Sequence, residues 1–163
     1  MKIFNSTNIS KDCRNSALAI GNFDGVHQGH QKVFKQTQKI AKKNKTKFGV
    51  LTFTPLPVMF FNKKIKNHRL VSEEQKLKLF SRYKVDFIIN IPFNKKFSKI
   101  SAEKFIKKII YKKINPKLLA VSNNFKFGQN RRGDVRLLKK YGNKYDYSLL
   151  KIKPFKYLGK IVS

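Results

Sequence analysis

Two of the three histidines in this sequence fall three positions apart, His27 and His30, inside Gly21-Asn-Phe-Asp-Gly-Val-His-Gln-Gly-His30. Imidazoles at that spacing admit three kinds of chemistry. They can ligate a metal, they can be a satisfied structural pair, or they can donate hydrogen bonds to phosphate oxygens whose charge grows in a transition state. A metal needs further ligands, and the only other candidates are Cys13 and His68, neither near in sequence. Phosphate chemistry needs no carboxylate pair, which suits a chain with 8 Asp+Glu in all.

The flanks favour phosphate. Leu18 to Phe23 is an apolar run that predicts a buried strand, and Gly21, Gly25 and Gly29 punctuate its end and the loop beyond it. From Gly29 the period turns helical, with Val33, Phe34, Thr37, Ile40 and Ala41 on one face and lysines opposite. A strand, a Gly-rich turn and a helix start place backbone N–H groups and a positive helix end against a phosphate. The glycine spacing itself is neither a dinucleotide fingerprint nor a Walker A loop, because no Gly-Lys-Ser/Thr comes after it.

Further elements are needed to hold such a loop. Ile3 and Phe4 can form a short edge strand, and strands are expected over 48–53, 85–91 and 117–121, with another carrying Tyr145, Tyr147 and Leu149 and a sixth over 155–162. Pro55 and Pro57 mark 54–61 as a loop with an apolar tip, running into a basic link over 63–69. Ser72-Glu-Glu-Gln75 is a capping box opening a helix through Leu77, Phe80 and Tyr83. Ser101 caps a helix whose face is Phe105, Ile106, Ile109 and Ile110, and Asp134 begins another that Gly142 ends. Strands alternating with helices predict a parallel α/β sheet of five to six strands flanked by helices. The loops 21–30, 54–61 and 122–133 all come directly after strands, so they converge at the carboxyl edge where ligands bind such sheets.

Four stretches, in order, carry a resemblance. Gly21 to His30 resembles the Gly-x-Phe-Asp-Gly-x-His-x-Gly-His signature of bacterial FAD synthetases, members of the nucleotidyltransferase superfamily with a His-x-Gly-His-type loop. Phe53-Thr-Pro-Leu-Pro57 is similar to the family's Phe-x-Pro-x-Pro loop, and Leu70 to Phe80 to the segment with a Glu-x-Lys-Leu helix. Val121 to Asp134 is similar to its Asp/Asn-Phe-x-Phe-Gly-x-x-Arg-x-Gly-Asp block, with Asn123 and Asn130 as departures.

The resemblance implies a Rossmann-like nucleotidyltransferase fold and the reaction FMN + ATP → FAD + pyrophosphate, with Mg²⁺. It implies His27 and His30 as catalytic groups and no protein-held metal. ATP would lie against Gly21, Phe23, Asp24, Gly25, Gly29 and His30, with Asn124 and Arg131 on the second loop. Phe53, Pro55, Pro57 and Phe127 would shape the flavin side. Plain alternatives stand beside these roles: Asp24 as a turn cap, Phe125 and Phe127 as core, and Arg131-Arg132 as a solvated loop tip. Lys160-Ile-Val-Ser163 is similar to the first residues of the family's Ile-Ser-Ser-Thr-x-Ile-Arg motif. The expectation is therefore a single domain over 1–163, C-terminally incomplete and without a riboflavin kinase module.

Composition bounds the alternatives. In 163 residues, 40% are hydrophobic and 13% aromatic, enough for one ordinary core. The net charge of +30 suits a nucleic-acid-binding module, but the lysines are spread along the chain rather than gathered in one stripe, which reads as compositional bias with small anionic ligands as partners. Other readings are a different nucleotidyltransferase or an inactive, truncated relic. No apolar run nears ~20 residues, so no membrane span is expected. Cys13 is the lone cysteine, and a cytoplasmic protein is expected.

Overall fold

A computed structural model describes residues 1–24, 28–62 and 72–153, together with the backbone of 155–157 and 160–162. Six strands form one parallel sheet: β1 (Lys2–Phe4), β2 (Ala17–Ile20), β3 (Phe48–Thr54), β4 (Phe87–Pro92), β5 (Leu118–Ser122) and β6 (Ser148–Ile152). Their order across the sheet is β1-β4-β3-β2-β5-β6. Every adjacent pair runs parallel. The apolar runs anticipated as strands are apolar because both sheet faces are covered.

Alternation along the strands sorts the core into two layers. Leu18 and Ile20 of β2 pack with Leu51, Phe87, Ile89 and Leu119 on one face, while Ala17 and Ala19 point to the other with Val50, Ile88 and Ala120. The first face is closed by α5 (Ala102–Lys104), its π-helical continuation (Phe105–Ile114) and α6 (Val135–Tyr145). The second is closed by α1 (Gln28–Lys43) and α3 (Glu73–Arg82). Small Ala17 and Ala19 leave room for the large rings of Phe23, Phe34 and Phe80 on that face.

The caps read from sequence are in place. Ser72 and Gln75 exchange both hydrogen bonds of a capping box, and the side chains of Ser101 and Asp134 accept from the amides of Lys104 and Leu137.

Three expectations change and one element is added. The segment 54–61 is not wholly loop: residues Pro57–Phe61 form a short helix, α2, because proline at the first helical position forfeits no needed donor. Between β4 and α5, Lys95–Ser98 makes a further short helix, α4, capped by Asn94. Gly142 does not end α6, which runs to Tyr145 and closes with Asp146 in the left-handed region. Gly142 is instead a close-packing site, since a Cβ there would stand 2.8 Å from the Tyr147 carbonyl oxygen. Finally, 155–162 is no strand of the main sheet; Phe155–Tyr157 (β7) and Lys160–Val162 (β8) pair antiparallel as a separate ribbon. The sixth strand is β1 at the edge, which pairs with β4.

Candidate active site

The strand order reverses between β2 and β5. From β2 the chain proceeds to β3 and β4 on one side, and from β5 to β6 on the other. The crevice outside the carboxyl ends of two such neighbours is where open α/β sheets bind ligands. The segment from Gly21 to His30 leaves β2 and the segment from Asn123 to Asp134 leaves β5, so the topology puts both motif loops at this switch point.

At the β2 side, Gly21 donates its amide to the Leu51 carbonyl at 3.1 Å, the last rung before the chain turns away. The turn itself is made by Phe23, whose φ of 47° is left-handed, rather than by Gly21. Gly21 serves by lacking a side chain, since a Cβ there would meet the Phe23 ring at 3.0 Å. Phe23 is buried, with its ring 4.8 Å from Phe34 and 6.3 Å from Phe80. This costly conformation of a bulky residue is held by the pocket its ring fills.

Gly29 and His30 lie in the first turn of α1, His30 half-buried with its ring edge-on to Phe23. Asp24 is half-buried just before that helix. Gly25 and His27 lie outside the described residues, as do His68 and the basic link over 63–69. The N-terminal end of α1 brings a positive helix dipole to the carboxyl edge.

On the β5 side, the amide of Asn123 bonds to the Ile152 carbonyl at 2.9 Å, and a turn from Ser122 to Phe125 leaves Asn124 exposed. Phe127 and Gly133 pair across the loop's base. The Gln129 amide donates to Ile100 at 2.7 Å, and Gly128, at φ 74°, lies against Ala102. Asn130 and Arg131 are both left-handed, and Arg131 is exposed. This loop is therefore anchored on the α5 face, whereas His30 is carried by the helix on the opposite face. Both parts come directly after neighbouring strands of the sheet.

The proline loop comes after β3. Phe53 is 7% exposed, its ring 6.0 Å from Phe93 and 5.7 Å from Phe97. The Thr54–Pro55 bond is cis, Pro55 is exposed, and Pro57 opens α2. Thr54 Oγ1 donates to Asn90 Oδ1 at 2.8 Å, fixing the strand ends beneath them. Phe127 is also 7% exposed, and Phe125, half-buried, stacks on it at 5.6 Å. The rings that reach outward are Phe60, Phe93 and Phe61, the last 70% exposed.

Lys76 is the lysine of Glu74-Gln75-Lys76-Leu77, in the third motif stretch, but is not among the residues expected at the site. It is only 7% exposed, and its Nζ donates to Thr52 Oγ1 at 3.1 Å, with the Asn22 carbonyl at 3.5 Å. Its signals in the sequence are that Glu-x-Lys-Leu pattern and its position four residues before Phe80, on the apolar stripe of α3.

The model of the FAD synthetase family matches residues 9–163. The chain belongs to that family. Among its relatives, a Buchnera aphidicola (subsp. Schizaphis graminum) bifunctional riboflavin kinase/FMN adenylyltransferase is 42% identical over 154 residues, 94% of this chain and 49% of the relative. The protein of the same description from Escherichia coli K12 is 33% identical over 138 residues, 85% of this chain and 44% of the relative. The chain thus spans about half the length of the curated relatives it matches.

Solved structures match the chain in fold. A Streptococcus pneumoniae protein described as a macrolide-efflux protein superimposes with a TM-score of 0.84 at 21% identity, covering 99% of this chain and 52% of that one. Pantoate-beta-alanine ligase from Francisella tularensis gives 0.62 at 14% identity, covering 100% and 71%. The Rossmann-like parallel sheet flanked by helices that the sequence predicts is the fold found. Among the described residues, no helix is long and apolar enough to cross a membrane.

Proposed function

We propose that this domain is an FMN adenylyltransferase, joining the AMP portion of ATP to FMN to give FAD and pyrophosphate. The observation that carries this reading is His30 in the first turn of α1, at the carboxyl end of β2 and beside the switch point, in a chain of the FAD synthetase family.

In the reaction, a phosphate oxygen of FMN attacks the α-phosphorus of ATP. The bond from that phosphorus to the bridging oxygen of the β-phosphate breaks, and the electron pair leaves on pyrophosphate. Negative charge therefore grows on the leaving phosphates. His30 and His27 donate hydrogen bonds to that charge, and the amides at the start of α1 receive the phosphates along the helix dipole. Gly21, Phe23, Asp24, Gly25 and Gly29 form the nucleotide side of this wall. Asn124 and Arg131 approach from β5, the arginine adding positive charge opposite the histidine loop.

Mg²⁺ enters as part of the nucleotide substrate, with the polyphosphate as its ligand. Among the described residues, no three His, Cys, Asp or Glu side chains are grouped to hold a metal. The flavin lies toward the β3 and β4 ends. Phe53 acts there from the core, bracing Phe93 and through it Phe60 and Phe61, while Pro55 and Pro57 shape the rim; Phe127 braces Phe125 on the loop after β5. Small anionic substrates, rather than a nucleic acid, are the partners, and the cytoplasm is the compartment.

Purified protein incubated with FMN, ATP and Mg²⁺ is expected to form FAD and pyrophosphate in equal amounts, measured by flavin chromatography and a pyrophosphate assay. Consumption of ATP against a different phosphate acceptor, with FMN untouched, would overturn the flavin assignment. Absence of both activities, with tight salt-steep binding to single-stranded or duplex nucleic acid, would overturn the enzyme reading.

A further inference from the structure

Asn22 is the residue at which the chain leaves β2, one position after the last ladder rung and one before the left-handed turn at Phe23. Its carbonyl accepts from a side chain of the neighbouring strand β3: Thr52 Oγ1 donates to it at 2.9 Å. Lys76 Nζ donates to that same hydroxyl at 3.1 Å and stands 3.5 Å from the carbonyl. Three elements are tied together here, the end of β2, the end of β3 and the first turn of α3.

An ammonium group taken out of water costs several kcal/mol unless bonded, so a lysine at 7% exposure has a fixed geometry rather than a solvated sweep. Its Nζ also stands 5.9 Å from the centroid of Phe80, which itself packs on Phe23. The ammonium thus meets the same turn twice, once at the carbonyl that precedes Phe23 and once over the Phe80 ring that packs on Phe23. Phe23 in turn carries the edge contact to His30.

We propose that Lys76 is a positioning residue of the active site, setting through Thr52 and the Asn22 carbonyl the turn that presents Asp24 and His30 to the nucleotide phosphates. The proposal rests on the adenylyltransferase reading for its consequence in catalysis, but its structural part does not need that activity. The buried cation also adds positive potential at the carboxyl edge, which favours a polyphosphate.

The test uses Lys76→Met, which keeps the length of the stem and removes the ammonium, and Lys76→Arg as the conservative variant. The first readout is amide hydrogen exchange of Asn22, Phe23 and Asp24, expected to quicken about tenfold or more in K76M while β3 and the body of α3 keep their protection. The second is steady-state FAD formation, where kcat/KM for ATP is expected to fall about tenfold or more with KM for FMN unchanged, and K76R to recover part of the loss. Should K76M not fold, Thr52→Val removes the hydroxyl that links the two groups, with Thr52→Ser as its control. Unchanged exchange at the turn in K76M or T52V would overturn the proposal. So would a rise in exchange spread evenly over the whole domain, which marks a purely global role. A wild-type protein that makes no FAD would instead remove the adenylyltransferase reading and leave the exchange result to decide the positioning role.

Discussion

The imidazole of His30 stands edge-on to the ring of Phe23, with centroids 5.1 Å apart and planes at 74°. Phe23 belongs to the turn and His30 to the helix, so this contact spans the described ends of the histidine loop. Edge-to-face pairs fix orientation as well as distance. Replacing Phe23 with Leu is expected to keep the protein folded, because the site stays apolar, while releasing the imidazole. We expect kcat to fall about tenfold, the size of effect that ångström-scale misplacement produces, with KM for FMN little changed in steady-state assays. Phe23→Ala should also lower stability by roughly 3–5 kcal/mol in denaturant unfolding, as truncations of buried rings do.

His30→Ala tests the chemical role directly. Removing one donor aimed at developing phosphate charge is expected to lower kcat by about 10²–10³. Flavin binding, measured by fluorescence quenching, should remain close to wild type. A melting temperature reduced as strongly as in Phe23→Ala would instead mark His30 as structural.

Gly128 should tolerate no side chain. Its φ is 74°, and a Cβ would stand 2.7 Å from the Ala102 backbone. Gly128→Ala is expected to destabilise by roughly 2–4 kcal/mol, combining the left-handed penalty with a clash that the backbone must absorb. The loop holding Asn124 and Arg131 would shift with it, so KM for ATP should rise in any variant that still folds.

Acid should unfold the protein through particular carboxylates. The Lys47 ammonium, with Ser10 and Lys2, holds the Asp12 carboxyl well below the usual range, and the Leu137 amide, then Arg136, lowers that of Asp134. A depressed folded value stabilises the fold above the unfolded value of about 4 and loses that contribution as pH falls below it. The melting temperature should therefore be flat above about pH 5 and drop below about pH 4, less steeply in Asp12→Asn. Protonation also removes negative charge from a chain already at +30, so added salt should soften the drop.

The alkaline limb has a different source. Burial pushes the Tyr147 phenol well above its usual range, and its hydroxyl donates to the Leu138 carbonyl at 2.7 Å. A raised folded value means that the neutral form is the one stabilised. That stability is present below pH of about 10 and is lost as pH rises past it. Tyr147→Phe is expected to cost about 1 kcal/mol at neutral pH and to flatten the loss above a pH of about 10, both read from thermal melts.

Much of the site was legible because short-range chemistry writes itself into local spacing. The Ser72–Gln75 capping box, the Asp134 cap and the helical stripe from Val33 to Ala41 all formed as read, since each depends on residues within a few positions. Gly142 and Pro57 depart from their local signals for the converse reason. Glycine usually stops a helix and proline usually prevents one, but Tyr147 needs the space over Gly142, and Pro57 sits where a helix needs no amide donor. The 155–162 segment alternates well enough to join the sheet, yet which edge a short strand meets is settled by distant pairing.

By itself the sequence determined the apolar strands, the helix caps, the order of the motif loops and, through four spaced motifs, the family. Only the tertiary structure decided that Phe23 makes the turn, that Gly21 exists to admit its ring, and that a lysine on an apolar stripe points inward at the Asn22 carbonyl. The physical reason is range. Caps and periodicities act over one or two helical turns, whereas Lys76 and Asn22 are 54 residues apart and meet because β2 and β3 pair while α3 packs over the same end of the sheet.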